Sequence, residues 1–112
     1  MNVRLYIWQR ATATLMVPLV IIHLAVIVYA SRKGMTAADI LGRTRGSILW
    51  ASLYGTFVLA VAIHAAIGVR NVLAEWSPLS PLSPRGAAIF GNGFGVVLLV
   101  LGLRAVAAVV LP

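Results

Sequence analysis

Three long apolar runs separated by polar punctuation organise the chain. Residues 11–30 give 20 positions without a formal charge, residues 47–69 give 23, and residues 87–103 give 17, with an apolar continuation past Arg104 to Leu111. A helix needs about 20 apolar residues to cross a hydrocarbon layer about 30 Å thick, so each run has the length of a membrane span. None alternates with period two, and the runs are too long for barrel strands. The pattern predicts an all-α membrane protein with three transmembrane helices over about residues 11–30, 47–74 and 87–110, forming a single membrane-anchor domain over residues 1–112. The first connection, residues 31–46, is polar and has space for a short turn of interfacial helix. The second, residues 77–84, carries Pro78, Pro81 and Pro84 and cannot be a continuous helix.

Composition agrees with that solvent. The chain is 62% hydrophobic and 10% charged, with a mean hydropathy of +1.02, far more apolar than a soluble domain. Its formal charge of +7 comes from basic residues scattered singly or in pairs, with no continuous basic face, so nucleic acid is not an expected partner and the lipid bilayer is. The absence of cysteine excludes disulfides, thiolate metal sites and covalent c-type haem. The first apolar run exceeds a signal-peptide core and precedes no small-x-small cleavage site, so it reads as a retained span.

If the spans alternate, one side carries Arg4, Arg10, Arg70 and Arg85 and the other carries Arg32, Lys33, Arg43 and Arg45, with Arg104 near it. That balance does not set the orientation. Aromatic residues mark both interfaces, with Tyr6, Trp8 and Trp76 on the first side and Tyr29, Trp50 and Tyr54 towards the second.

Chemistry is expected where hydrocarbon should reject a side chain. His64 lies in the second run, 11 residues before Glu75 and so roughly 16 Å from it along a helix, near the bilayer middle. An intramembrane histidine must be paired or ligated, which makes it a functional candidate. On a helix, Ala60, His64, Gly68, Asn71 and Glu75 share a stripe that is small beside the histidine and polar towards the interface. Such a stripe leaves clearance for a flat macrocycle at the imidazole; it equally suits close helix packing with His64 hydrogen-bonded to a neighbour. His23 in the first run has bulky neighbours, Leu19, Val20, Val26 and Ile27, and reads foremost as a packing histidine bonded across the bundle at comparable depth, with ligation as the alternative. Pro18 removes a backbone donor and should bend that helix near Thr14. Gly91, Gly95 and Gly102 share a face of the third helix, expected to contact a partner anchor subunit.

These residues carry a family resemblance. Trp8-Gln9-Arg10-Ala11-Thr12-Ala13 with Pro18-Leu19, then His64-Ala65-Ala66-Ile67-Gly68 and Val72-Leu73-Ala74-Glu75-Trp76, resemble the small cytochrome b membrane-anchor subunit of the succinate dehydrogenase and fumarate reductase family over nearly the whole chain. The resemblance implies a subunit that is not catalytic alone, in a succinate:quinone oxidoreductase complex. Partner subunits hold FAD and iron–sulfur clusters: a flavoprotein and an iron–sulfur protein. A second, larger cytochrome b anchor subunit usually supplies the other axial ligand.

On this resemblance His64 is an axial ligand to the iron of haem b, with Gly68 beside it and Arg10 near the propionates; His23 is the lesser cofactor-binding candidate. Arg10, Glu75 and Trp76 are the expected quinone-site residues, with Gln9 and Thr12 as weaker polar candidates. The family usually ends this helix with Asp-Tyr, whereas here it is Glu75-Trp76; an indole donates a hydrogen bond but cannot accept one or relay a proton as a phenol does. Quinone contact and an aromatic-belt role both remain open for Trp76. The expected location is a bacterial inner membrane with the N-terminus cytoplasmic. Two other functions fit the residues: a haem-free tether for a related dehydrogenase, and an unrelated small transport or channel protein.

Overall fold

A computed structural model describes residues 3–75 and 83–111, and these form four helices: α1, Val3–Lys33; α2, Ala37–Thr44; α3, Ile48–Glu75; and α4, Pro84–Val110. The expected spans are α1, α3 and α4, each long and apolar enough to cross a membrane. They outrun the apolar runs because the polar residues at their ends have helical propensity and reach interfacial water. α1 runs unbroken through Pro18, and the Thr14 hydroxyl turns back to the Arg10 carbonyl at 2.9 Å.

The helix ends follow local chemistry. α1 stops at Gly34, whose φ of +62° is left-handed; Gly34 N–H donates to Ser31 O and Met35 N–H to Ala30 O, the paired bonds of a Schellman cap. Thr36 and Asp39 then form a reciprocal capping box that starts α2, so the first connection holds two helical turns where the sequence suggested one. α3 begins where Ser47 Oγ accepts from Trp50 N–H at 3.2 Å, and α4 where Ser83 Oγ accepts from Gly86 N–H at 3.0 Å with Pro84 following.

α3 is the central helix, packed against α4 on one side and α1 on the other. Its approach to α4 is set by glycine. A Cβ at Gly91 would stand 2.5 Å from the Ala66 carbonyl oxygen, and one at Gly95 2.7 Å from Ala66 Cβ. At Gly102 it would lie 2.6 Å from Val58 Cγ1. The glycine face expected to meet a partner subunit is therefore used within this chain, because α3 presents its own small residues, Ala62 and Ala66, at matching register. α2 then closes the far end of α4: Thr44 Oγ1 donates to Val109 O at 2.6 Å and Gly46 N–H to Val110 O at 2.7 Å, satisfying carbonyls a helix end leaves open.

The interior is narrow. Ala60, Ala62, Ala87, Leu19, Ile67 and Val110 are its buried apolar residues, while bulky side chains such as Ile21, Leu24, Phe94, Val97 and Leu101 face outward. Water would reject that arrangement; lipid accepts it, since apolar side chains gain nothing by leaving hydrocarbon and close backbone packing holds the helices together. The molecule is an integral membrane protein in contact with the bilayer.

Candidate functional site

The α1–α3 contact places Thr12 against His64. Thr12 is buried, and its hydroxyl lies 2.8 Å from Trp8 O, 3.1 Å from Gln9 O and 3.3 Å from His64 Nδ1. A threonine has one hydroxyl proton. The shortest contact is to Trp8 O, the helix carbonyl four residues back, and that bond takes the proton. The assignment consistent with that bond has His64 donating its Nδ1–H to the Thr12 oxygen, which leaves Nε2 with its lone pair. That tautomer, fixed by a hydrogen bond behind the ring, is the one in which histidines ligate metals through Nε2.

His64 borders an open apolar depression on α3, lined also by Ala65, Gly68, Val69, Val72 and Leu73. Much of the expected clearance is taken up by helix packing: Ala60 is buried at 3% exposure and does not border the depression, and a Cβ at Gly68 would meet Gln9 Nε2 at 3.4 Å. Gln9 Oε1 is enclosed without a hydrogen-bond partner among the described residues, so a polar acceptor lies close to the histidine in an apolar setting. These residues fit one face of a haem in their chemistry: an imidazole backed by a hydroxyl and an apolar surface beside it, small at Ala65 and Gly68 and bulkier at Val69, Val72 and Leu73. The depression is open, so a haem seated there would be enclosed by this chain on one side only.

Arg10 is exposed one turn from this cluster. Its Nε donates to the Tyr6 hydroxyl at 3.2 Å and its guanidinium lies 5.3 Å from the centre of the Tyr6 ring. The antiparallel register pairs Gln9 with Gly68 and Thr12 with His64, which sets Glu75 about 13 Å beyond Arg10 along the bundle axis, at the α1 N-terminal end. Glu75 is exposed at the last turn of α3. Trp76 lies outside the described residues.

His23 differs from its expected setting in two ways. It is 11 residues from Thr12 on one continuous helix, so it lies about 16 Å along the axis from the His64 level, in the other half of the bundle. One haem iron cannot take both imidazoles from a single copy of this chain. Nor is His23 hydrogen-bonded across the bundle: Nδ1 is enclosed without a partner among the described residues, and the ring instead packs edge-on against Phe57 at 5.4 Å and Tyr54 at 6.1 Å.

Thr12 and Gln9 carry more of the site than their sequence context suggested. Both are polar residues in an apolar helix on the turn of Arg10, and that was the available signal. Nothing in the sequence pointed to Tyr54 and Phe57 as the walls around His23. No protein-family model, curated protein or solved structure matches the chain.

Proposed function

We propose that the chain is the haem-binding small anchor subunit of a succinate:quinone oxidoreductase-type complex, with His64 as one axial ligand of haem b. The observation that carries this is the Thr12–His64 Nδ1 contact at 3.3 Å, which backs an intramembrane imidazole that borders an apolar depression. When bound, the haem supplies a one-electron carrier within the membrane. The chain's own residues do the positioning. Thr12 holds the ring and its tautomer, and Ala65 and Gly68 keep the surface beside it small. Arg10 offers permanently charged donors for propionates and for a quinone oxygen, with Glu75 about 13 Å further towards the α1 N-terminal end as the second polar group of the quinone route.

A larger cytochrome b anchor subunit supplies the other axial ligand, and flavoprotein and iron–sulfur subunits hold FAD and the clusters that exchange electrons with a dicarboxylate. The membrane is a bacterial inner membrane and the N-terminus is cytoplasmic, on the side of the soluble subunits. The resemblance of the Arg10 and His64 motifs supports these assignments together with the tautomer argument. Isolation of the native complex and a reduced-minus-oxidised spectrum, with succinate as reductant, tests them. The expected result is a low-spin b-type spectrum in a preparation containing flavin and iron–sulfur subunits; a complex without b-type absorption would show the chain to be a haem-free tether.

A further inference from the structure

We propose that the slot beneath α2 holds one anionic phospholipid from the leaflet on that side, with its phosphate on Arg43 and an acyl chain between α1, α3 and α4. Two cavities, of about 190 Å³ and 380 Å³, share His23, Ile40, Thr44 and Tyr54 along their walls. The first lies under Arg43, and the second extends along Phe57 and Val58 to Gly102 on α4. Together they make an apolar path from a basic mouth towards the middle of the bundle.

The mouth suits an anion: Arg43 is the charged residue that lines it, and the flanking segment, residues 29–54, adds Arg32, Lys33 and Arg45 against one acid, Asp39. Asp39 accepts from the Thr36 N–H at 2.8 Å within its own capping box. Arg43 is steadied by apolar partners: its Nη2 rests 3.4 Å from Met35 Sδ and its guanidinium 5.6 Å from the centre of the Tyr29 ring. Thioether sulfur is a weak acceptor, so the guanidinium keeps donors for a phosphate, which it matches as a fork. Free phosphate has no use for the apolar walls below, and a neutral lipid has none for the arginines; a phospholipid with a net negative headgroup uses both. His23 adds a polar contact inside the slot.

The test uses the full chain in the complex it assembles with, held in a mild detergent and examined by native mass spectrometry with phosphatidylglycerol or phosphatidylcholine of identical chains. One phosphatidylglycerol per chain should be retained, about tenfold in preference to phosphatidylcholine. Arg43→Gln should remove most of that preference, whereas Arg85→Gln at the opposite membrane face should leave it. Glycerol 3-phosphate, which has the charge but no chains, should not displace the lipid. Equal retention of the two lipids overturns the proposal, as does an Arg43→Gln protein of unchanged helical content that keeps the preference. Displacement of lipid by a second copy of the chain would reassign the slot to a homodimer contact.

Discussion

Thr12 and His64 illustrate how one hydroxyl proton decides the chemistry of a ring on another helix. Thr12→Val keeps the shape but removes the oxygen that accepts from Nδ1, leaving a part-buried N–H unpaired, at a cost of about 1–3 kcal/mol. Haem retained per mole of protein should fall and its spectrum broaden, with helix content preserved in circular dichroism; retention at the wild-type level would mean that Thr12 does not hold the ligand. His64→Ala should abolish or shift the low-spin haem spectrum, whereas His23→Ala, on the far half of the bundle, should leave it nearly intact and cost packing against Tyr54 and Phe57. The opposite pattern would make His23 the ligand in place of His64. Arg10→Leu should depress quinone-linked turnover while electron transfer to a soluble acceptor survives; equal loss of both activities indicates failed assembly.

At the scale of elements, the α3–α4 seam and the α2 cap carry separate risks. Gly95→Leu forces a side chain into Ala66 and the Ala62 carbonyl, where backbone rather than flexible side chain must move. Overpacking of that kind costs about 1–3 kcal/mol or more, so the variant should lose helical signal in detergent at a lower temperature than wild type. Gly93→Ala, in open space on the same helix, is the matched control. The α2 cap responds to pH. Hydrogen bonds from the Thr36 backbone N–H and then its side chain hold the Asp39 carboxyl below its ordinary value of 3.8. A depressed folded value means that the cap's contribution is present above 3.8 and is lost as pH falls through the lower, folded value. Protection of the amides in residues 36–44, taken relative to their intrinsic exchange rates, should fall on acidification in that window, and Asp39→Asn should remove the dependence; an unchanged acid profile in the variant would place the titrating group elsewhere.

For the whole molecule, three spans put residues 31–46 on the side opposite the N-terminus. A reporter in that connection should read the far side of the membrane while one at the N-terminus reads cytoplasmic; two cytoplasmic readouts refute three crossings. The bundle also separates its two histidines by about 16 Å along the axis, so a complex in which both bind iron must hold two haems or more than one copy of the chain. Much of this plan is legible along the chain. The uncharged runs predict α1, α3 and α4, and His64 stands out because an imidazole is costly in hydrocarbon and its neighbours on the stripe are small or polar. The α4 glycines are equally visible as a packing face, yet their partner is not, since a small stripe fits any close helix and Ala62 and Ala66 on α3 are only one of the choices.

Hydropathy, charge and turn chemistry by themselves determined that this is a membrane bundle of three long helices, where the connections fall, and that His64 lies near the middle of a span. These are properties of one segment against one solvent, and such local free energies can be summed along a chain. Only the tertiary structure decided that Thr12 backs His64 while Tyr54 and Phe57 enclose His23, that the glycine face closes within the chain, and that Arg43 overhangs an apolar slot. Each depends on the register and rotation of one helix against another, set by backbone packing over many residues at once, and no single segment contains that information.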